Sequence, residues 1–341
     1  MVAAPSGAAI ATPRGATNGG IGLRLLDAPA NAGNDPRARL YIVDHLAPGT
    51  VIHRRIEVSN TTDSTMHVAL YSSAATIENG SFLGAAGHTP NDVSLWTSID
   101  PAASDIPAGQ RVTSTITISV PDDAAPGEQY GVVWAEVRSE PVVDGGVLQV
   151  SRVGIRIYLS VGPGGAPAAD FTIESLTAER SAEGQPIVLA TVRNVGGRAL
   201  DMSGTLKLLA GPGGLSAGPF PARLGTTLPI GGTEAVTIAL DDAVPAGPWD
   251  ARITLRSGLL ERSARATITF PASGASPSVR TAPLHPKMPY LVAGGLVLLL
   301  LTAIATPLVV RSRRRPRPDD HHVGTATPSS VGVGKPVALV R

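Results

Sequence analysis

Residues able to do chemistry are scattered in this chain, and their spacing excludes more than it permits. The seven histidines stand at His45, His53, His67, His88, His285, His321 and His322. None of the first five pairs with another at metal-ligand spacing, and His321-His322 lies in a polar tail. Asp122-Asp123 and Asp241-Asp242 are adjacent carboxylates, but a calcium ion wants about six to eight oxygens and no others lie close by in sequence. A turn after a strand is the simpler reading of both pairs. The GPGG stretches at 162–165 and 211–214 lack the GK[ST] of a phosphate loop. There is no cysteine, hence no disulfide frame and no thiolate site. An enzymatic reading has nothing to rest on, and no metal or cofactor is expected.

Recognition by surface contact remains. Sugars are bound by exposed aromatic faces with amides and carboxylates beside them. The stretch 72–105 supplies Asn79, Phe82, Asn91, Asp92 and Trp96, which form the expected ligand-binding set. The competing reading is that Phe82 and Trp96 close a core in a chain of only 4% aromatics. Trp134 alternates with Tyr130 and Val132 and is expected to be structural. Asn60-Thr61-Thr62 and Asn79-Gly80-Ser81 match glycosylation sequons, but the turn chemistry of Asn explains both.

These residues sit on strands. EVSNTTDSTMHVAL (57–70) and TVRNVGGRALDMSGTL (191–206) each put an Asn after an alternating apolar run and before a second run. DIPAGQRVTSTITISVPDDAAPGEQYGVVWAEVRS (105–139) repeats as TLPIGGTEAVTIALDDAVPAGPWDARITLRS (227–257), with Tyr130 aligned to Trp249. The first copy is longer, and 72–105 is the place for its insertion. Period-2 alternation with frequent turn signals predicts an all-β chain of two tandem immunoglobulin-like β-sandwich domains followed by one transmembrane α-helix. In VGIRIYLSV (153–161), Val153, Ile155, Ile157, Leu159 and Val161 share one face. The domains are placed at 21–163 and 164–270, with a Pro/Ser-rich spacer at 271–287.

Residues 291–310 carry no charge, and at 1.5 Å rise per residue they span roughly 30 Å, the thickness of a bilayer core. A membrane helix is therefore expected over 288–310. The run RSRRRPR follows it and places a basic, disordered tail (311–341) in the cytoplasm with the N-terminal domains outside. The overall net charge is only +1, and the basic residues of the tail form no folded face, so nucleic acid is not an expected partner. Residues 1–20 read as a disordered lead-in or the remnant of a signal region.

YIVDHLAPGTVIHRRIEVSNTTDST (41–65), AATIENGSF (74–82), NDVSLWTSI (91–99), IPAGQRV (106–112) and VPDDAAPGEQYGVVWAEV (120–137) occur in this order. The series resembles the WxL-interacting protein family of Gram-positive cell envelopes. The resemblance implies a peptidoglycan-binding immunoglobulin-like domain, a second sandwich for host or partner proteins, one membrane helix and a basic tail. The expected function is that of a single-pass, membrane-anchored, non-enzymatic surface protein that binds peptidoglycan, envelope partner proteins or both. The alternative is an assembly or export chaperone, or an accessory subunit of an envelope enzyme, acting by protein–protein binding.

Overall fold

The computed structural model of the protein describes residues 20–29, 32–138 and 148–284. The expected membrane helix (288–310), the basic tail (311–341) and almost all of the lead-in lie outside the described residues. Among the described residues no helix is long and apolar enough to cross a membrane.

The first region runs β1 (Ile21–Leu25), α1 (Pro36–Leu40), β2 (Ile42–Leu46), β3 (Val51–Asn60), β4 (Met66–Glu78), β5 (Ser81–Gly84), α2 (Asp92–Leu95), β6 (Thr97–Asp100), β7 (Ala103–Ile106), β8 (Arg111–Ser119), β9 (Gly127–Arg138) and β10 (Val150–Val161). One sheet has the order β1-β3-β8-β6. The other has the order β2-β10-β9-β4, with β5 and β7 both paired to β4. The alternation in sequence becomes burial in space: Ile155, Ile157, Leu159 and Val161 of β10 join Ile56, Val58, Ile116 and Ile118 in one core. The opposite face of β10 carries Arg152, Gly154, Arg156 and Tyr158.

The second region runs β11 (Phe171–Arg180), β12 (Pro186–Asn194), β13 (Leu200–Asp201), β14 (Ser203–Leu209), β15 (Ala217–Pro221), β16 (Thr227–Leu228), β17 (Thr233–Ala239), β18 (Trp249–Ser257) and β19 (Leu260–Ile268), and ends in β20 (Gly274–Ala275), β21 (Val279–Arg280) and β22 (Ala282–Pro283). Its sheets are β17-β12-β11 and β15-β14-β18-β19-β22, with β13 and β16 paired separately. Its core is a separate cluster that includes Trp249, Phe171, Val192 and Leu206. The expected all-β class holds, as two sandwiches of packed sheets.

Two buried asparagines explain why the same hairpin is written twice. Asn60, 1% exposed, donates through Nδ2 to the carbonyls of Ser64 (2.7 Å) and Ile106 (2.9 Å), and its Oδ1 accepts from Thr62 N (2.9 Å). Asn194, also 1% exposed, donates to the carbonyls of Arg198 (2.8 Å) and Pro229 (3.0 Å), and its Oδ1 accepts from Gly196 N (3.0 Å). Each amide ties its own turn to the loop before the next long strand of its sheet, β8 in one case and β17 in the other. Buried backbone carbonyls there gain partners that the strands cannot supply.

The spacer expected at 271–287 is corrected over its described part. β20 and β21 pair with β11, and β22 pairs with β19, so the chain crosses from one sheet of the second sandwich to the other. Ser276 N donates to Ala178 O at 2.8 Å, and Leu284 N to Ser263 O at 2.8 Å. A Pro/Ser-rich composition suggested a free spacer. Backbone pairing to an open sheet edge depends little on side-chain type, and it covers edges that would otherwise stay unpaired.

Candidate functional site

Of the five residues expected to bind a sugar, Phe82 and Asn91 both reach Tyr130, Asn79 and Asp92 stand exposed, and Trp96 is partly buried. Asn79 (φ 49°) is exposed at the β4–β5 turn, and the next carbonyl, Gly80 O, accepts from Thr227 N of the second sandwich at 2.7 Å. Phe82 follows on β5, with its ring 5.1 Å from Tyr158 and 6.4 Å from Tyr130. Asn91 caps α2: its Oδ1 accepts from Ser94 N (3.0 Å), and its Nδ2 donates to Tyr130 O (2.7 Å). Asp92 is exposed in the first turn of α2. Trp96 packs, partly buried, against the first core, as the competing reading had it. The β4–β5 hairpin is therefore an arm laid on the second sandwich.

The junction it reaches is built around two carboxylates. Asp201, on β13, receives four donors. Its Oδ2 accepts from Arg37 Nε at 2.6 Å. Its Oδ1 accepts from Arg156 Nη1 (2.8 Å), the Tyr158 hydroxyl (2.7 Å) and Thr227 Oγ1 (2.9 Å). Arg37, Arg156 and Tyr158 belong to the first sandwich, so this one carboxylate binds the two regions together. The second carboxylate, Glu128 on β9, works in the opposite direction. Its Oε2 accepts from the backbone N–H of Ala199 at 2.7 Å and from the Tyr130 hydroxyl at 2.7 Å.

Aromatic rings pack around these charges. The Arg37 guanidinium lies 4.1 Å from the Tyr158 ring centre, and that of Arg156 stands 4.9 Å from Phe82 and 5.1 Å from Tyr41. Burial, reinforced by the Glu128 charge, pushes the Tyr130 phenol well above its ordinary pKa. Burial and Asp201 do the same to Tyr158. Both phenols therefore remain protonated donors. Burial also pushes the Glu128 carboxyl up, against the hydrogen bonds that favour its charge.

Arg37 owes its position to α1. Asp35 caps the helix by accepting from Arg37 N at 2.9 Å, and Pro36 occupies its first turn. The Asp35-Pro36 pair that opens α1 is a helix-start signal that sequence reasoning passed over. On the second sandwich, Gly258 (φ +59°) faces this cap: a Cβ there would come within 2.5 Å of Asp35 Oδ1.

Beside the junction is a cleft of about 810 Å³. Arg37, Tyr41 and Arg156 line it from the first sandwich, and Asp201, Arg256 and Glu261 from the second. Three leucines in its lining, Leu40, Leu224 and Leu259, are 63%, 77% and 70% exposed. Among the described residues no group of three His, Asp or Glu side chains could hold a metal ion. Apolar side chains around guanidinium groups suit binding rather than bond making.

No family model matches this sequence, and no curated protein matches it. Among solved structures, the Pseudomonas aeruginosa CupB2 chaperone is similar at 10% identity and a TM-score of 0.36, over 67% of this chain and 98% of that one. The Salmonella enterica SafA pilin in complex with the SafB chaperone is similar at 10% identity and a TM-score of 0.37, over 78% and 96%. The E. coli chaperone DraB is similar at 11% identity and a TM-score of 0.35, over 72% and 96%. Likenesses this distant say nothing of what this chain binds.

Proposed function

We propose that this chain is a non-enzymatic envelope protein, held at the membrane by residues 288–310, that binds protein partners at the cleft between its two sandwiches in an assembly or accessory role. The observation that carries the proposal is the clustering of Leu40, Leu224 and Leu259 around one cleft. Single exposed leucines are ordinary, whereas three on one concavity with guanidinium groups beside them suit a partner segment. Three Asp201 contacts, to Arg37, Arg156 and Tyr158, and the Glu128–Ala199 bond join the two walls, so the cleft is held in place before a partner arrives.

The test is a photo-crosslinking amino acid placed at Leu259 in the full chain in its native cells, with Leu95, another exposed leucine, as the control position. A protease-sensitive adduct of defined mass at position 259 and none at 95 supports the reading. Adducts released only by a wall hydrolase would count against it.

A second reading, peptidoglycan binding, is favoured by the outer face of the β4-β9-β10 sheet. A Cβ at Gly84 or Gly154 would come within 2.7 Å of the Trp134 ring, so the two glycines make room for the indole against the sheet. Its Nε1 donates to Ala85 O at 2.8 Å, Tyr71 is its cross-strand partner, and Glu136 and Arg152 lie on the same face. The ordered motifs of residues 41–137 that resemble WxL-interacting proteins agree with this reading. Saturable co-sedimentation of the full chain with purified peptidoglycan, abolished by Trp134→Ala, would establish it. Co-sedimentation that ignores the substitution would remove this site from it.

A further inference from the structure

The chemistry of the cleft specifies the partner segment further, on the reading that the cleft binds protein. Arg37 is buried and its Nε is engaged by Asp201, but its Nη2 is sealed from water with no acceptor. A buried N–H left unpaired costs about 1–3 kcal/mol, and more on a charged group. The acids of the lining are already engaged. Asp201 serves Arg37 Nε, Arg156, Tyr158 and Thr227, while Glu261 holds Arg256 Nε at 2.6 Å. Three guanidinium groups, Arg37, Arg156 and Arg256, thus share two carboxylates within the lining, with the buried Glu128 as a further acid near Arg37, so the excess positive charge lies on the cleft surface itself. Leu40 lies one helical turn beyond Arg37 on α1, so the free donor and an exposed apolar side chain share one face.

We infer that the cleft takes a protein segment in which an acidic side chain stands between Leu- or Val-type side chains. On binding, the Arg37 guanidinium, closed off in the free chain, turns its Nη2 to the acid, and the apolar neighbours of the acid cover Leu40, Leu224 and Leu259. Pairing there excludes water, which strengthens a charge-assisted hydrogen bond and makes a neutral amide a poor substitute.

The probes are two fluorescent peptides in a Ser/Gly frame, one with a Leu-Val-Asp-Leu-Val centre and a twin with Asn in place of Asp. Each is titrated by anisotropy against the full chain in detergent. The Asp peptide is expected to bind about tenfold more tightly, the size of one charged hydrogen bond. The double variant Leu224→Ser/Leu259→Ser is expected to weaken both peptides about equally. Arg37→Lys is expected to bring the Asp and Asn affinities together, and an unchanged melting curve shows that it still folds. Should Arg37→Lys unfold the chain, the peptide pair and the leucine variant decide. Equal affinity for the two peptides, indifference to the leucine variant, or no binding of either peptide at millimolar concentration would overturn the inference. A protein adduct at Leu259 alongside any of those results would retain the protein-binding reading and remove only this ligand class.

Discussion

The two sandwiches solve one packing problem differently. Arg138 and Arg256 fall late in the corresponding strands β9 and β18, and seven residues before them lie Gly131 and Trp249. Trp249 is 1% exposed and fills the second core, with its Nε1 donating to Pro245 O at 2.9 Å. At Gly131 the chain provides no side chain, and a Cβ would come 2.7 Å from Val93 Cγ1. Val93 is fully buried on α2, within the insertion at 72–105. The first sandwich thus plugs with a helix the place that the second fills with an indole. Its aromatics Tyr130 and Trp134 turn to the outer face, and Tyr130 serves the junction there. The sequence alignment of Tyr130 with Trp249 is one residue out, and one residue on a strand is the difference between core and surface.

The sharpest way to break this comparison is to empty both places. Trp249→Ala should cost about 3–5 kcal/mol, the range for removing a large buried aromatic. Val93→Ala should cost about 2 kcal/mol, in keeping with the fewer apolar atoms it removes. Denaturant midpoints of the two variants check the order. A Val93 loss equal to that of Trp249 would mean that α2 does more than plug the first core.

Next in size is the seam between the sandwiches. Asp201→Ala leaves Arg37 buried without its carboxylate and should cost about 3 kcal/mol. Calorimetry is expected to give one transition for the parent and two for this variant. A single, merely lowered transition would show that the β4–β5 arm and Glu128 couple the regions without Asp201.

The fold was legible because it is written in periodic positions: the alternation of β8 and β12 survives into burial residue by residue. The junction was not legible, because its partners are far apart in sequence. Arg37 and Asp201 are 164 positions apart, and a single Arg or Asp carries no sign of such a partner. Phe82 and Asn91 stand out in the sequence as an aromatic and an amide in a loop-rich stretch. Their aromatic and amide groups serve internal contacts, which use the same chemistry as a binding face. The Pro/Ser-rich stretch from 271 misled because β-pairing at an edge leaves little mark in the sequence.

Smaller effects compare the two asparagines. Asn60→Ala and Asn194→Ala each remove several hydrogen bonds and leave buried carbonyls unmet, which should cost about 2 kcal/mol apiece. Near-equal losses would show that the hairpins are the same device. A loss confined to one would show that the other turn is held by its neighbours.

The smallest effect compares an edge with the seam through pH. Hydrogen bonds from Arg55 hold the Asp27 carboxyl down at about 2, below its ordinary 3.8. The folded state therefore binds that proton less readily than the unfolded chain does. The stability from Asp27 is fully present above about pH 4 and is lost as pH falls toward 2. Glu128 has the opposite sign, since burial raises its pKa in the folded state. Its contribution is present below the ordinary 4.5 and is lost as pH rises through its folded value. Denaturant midpoints from pH 2 to 7 should show Asp27→Asn flattening the acid limb alone. Glu128→Gln, whose amide oxygen can still accept from Ala199 N and Tyr130, should gain on the parent as pH rises from 4 to 7. A Glu128→Gln variant that instead loses ground over that range would mean that the ionised carboxylate, rather than an acceptor of any kind, is what the seam requires.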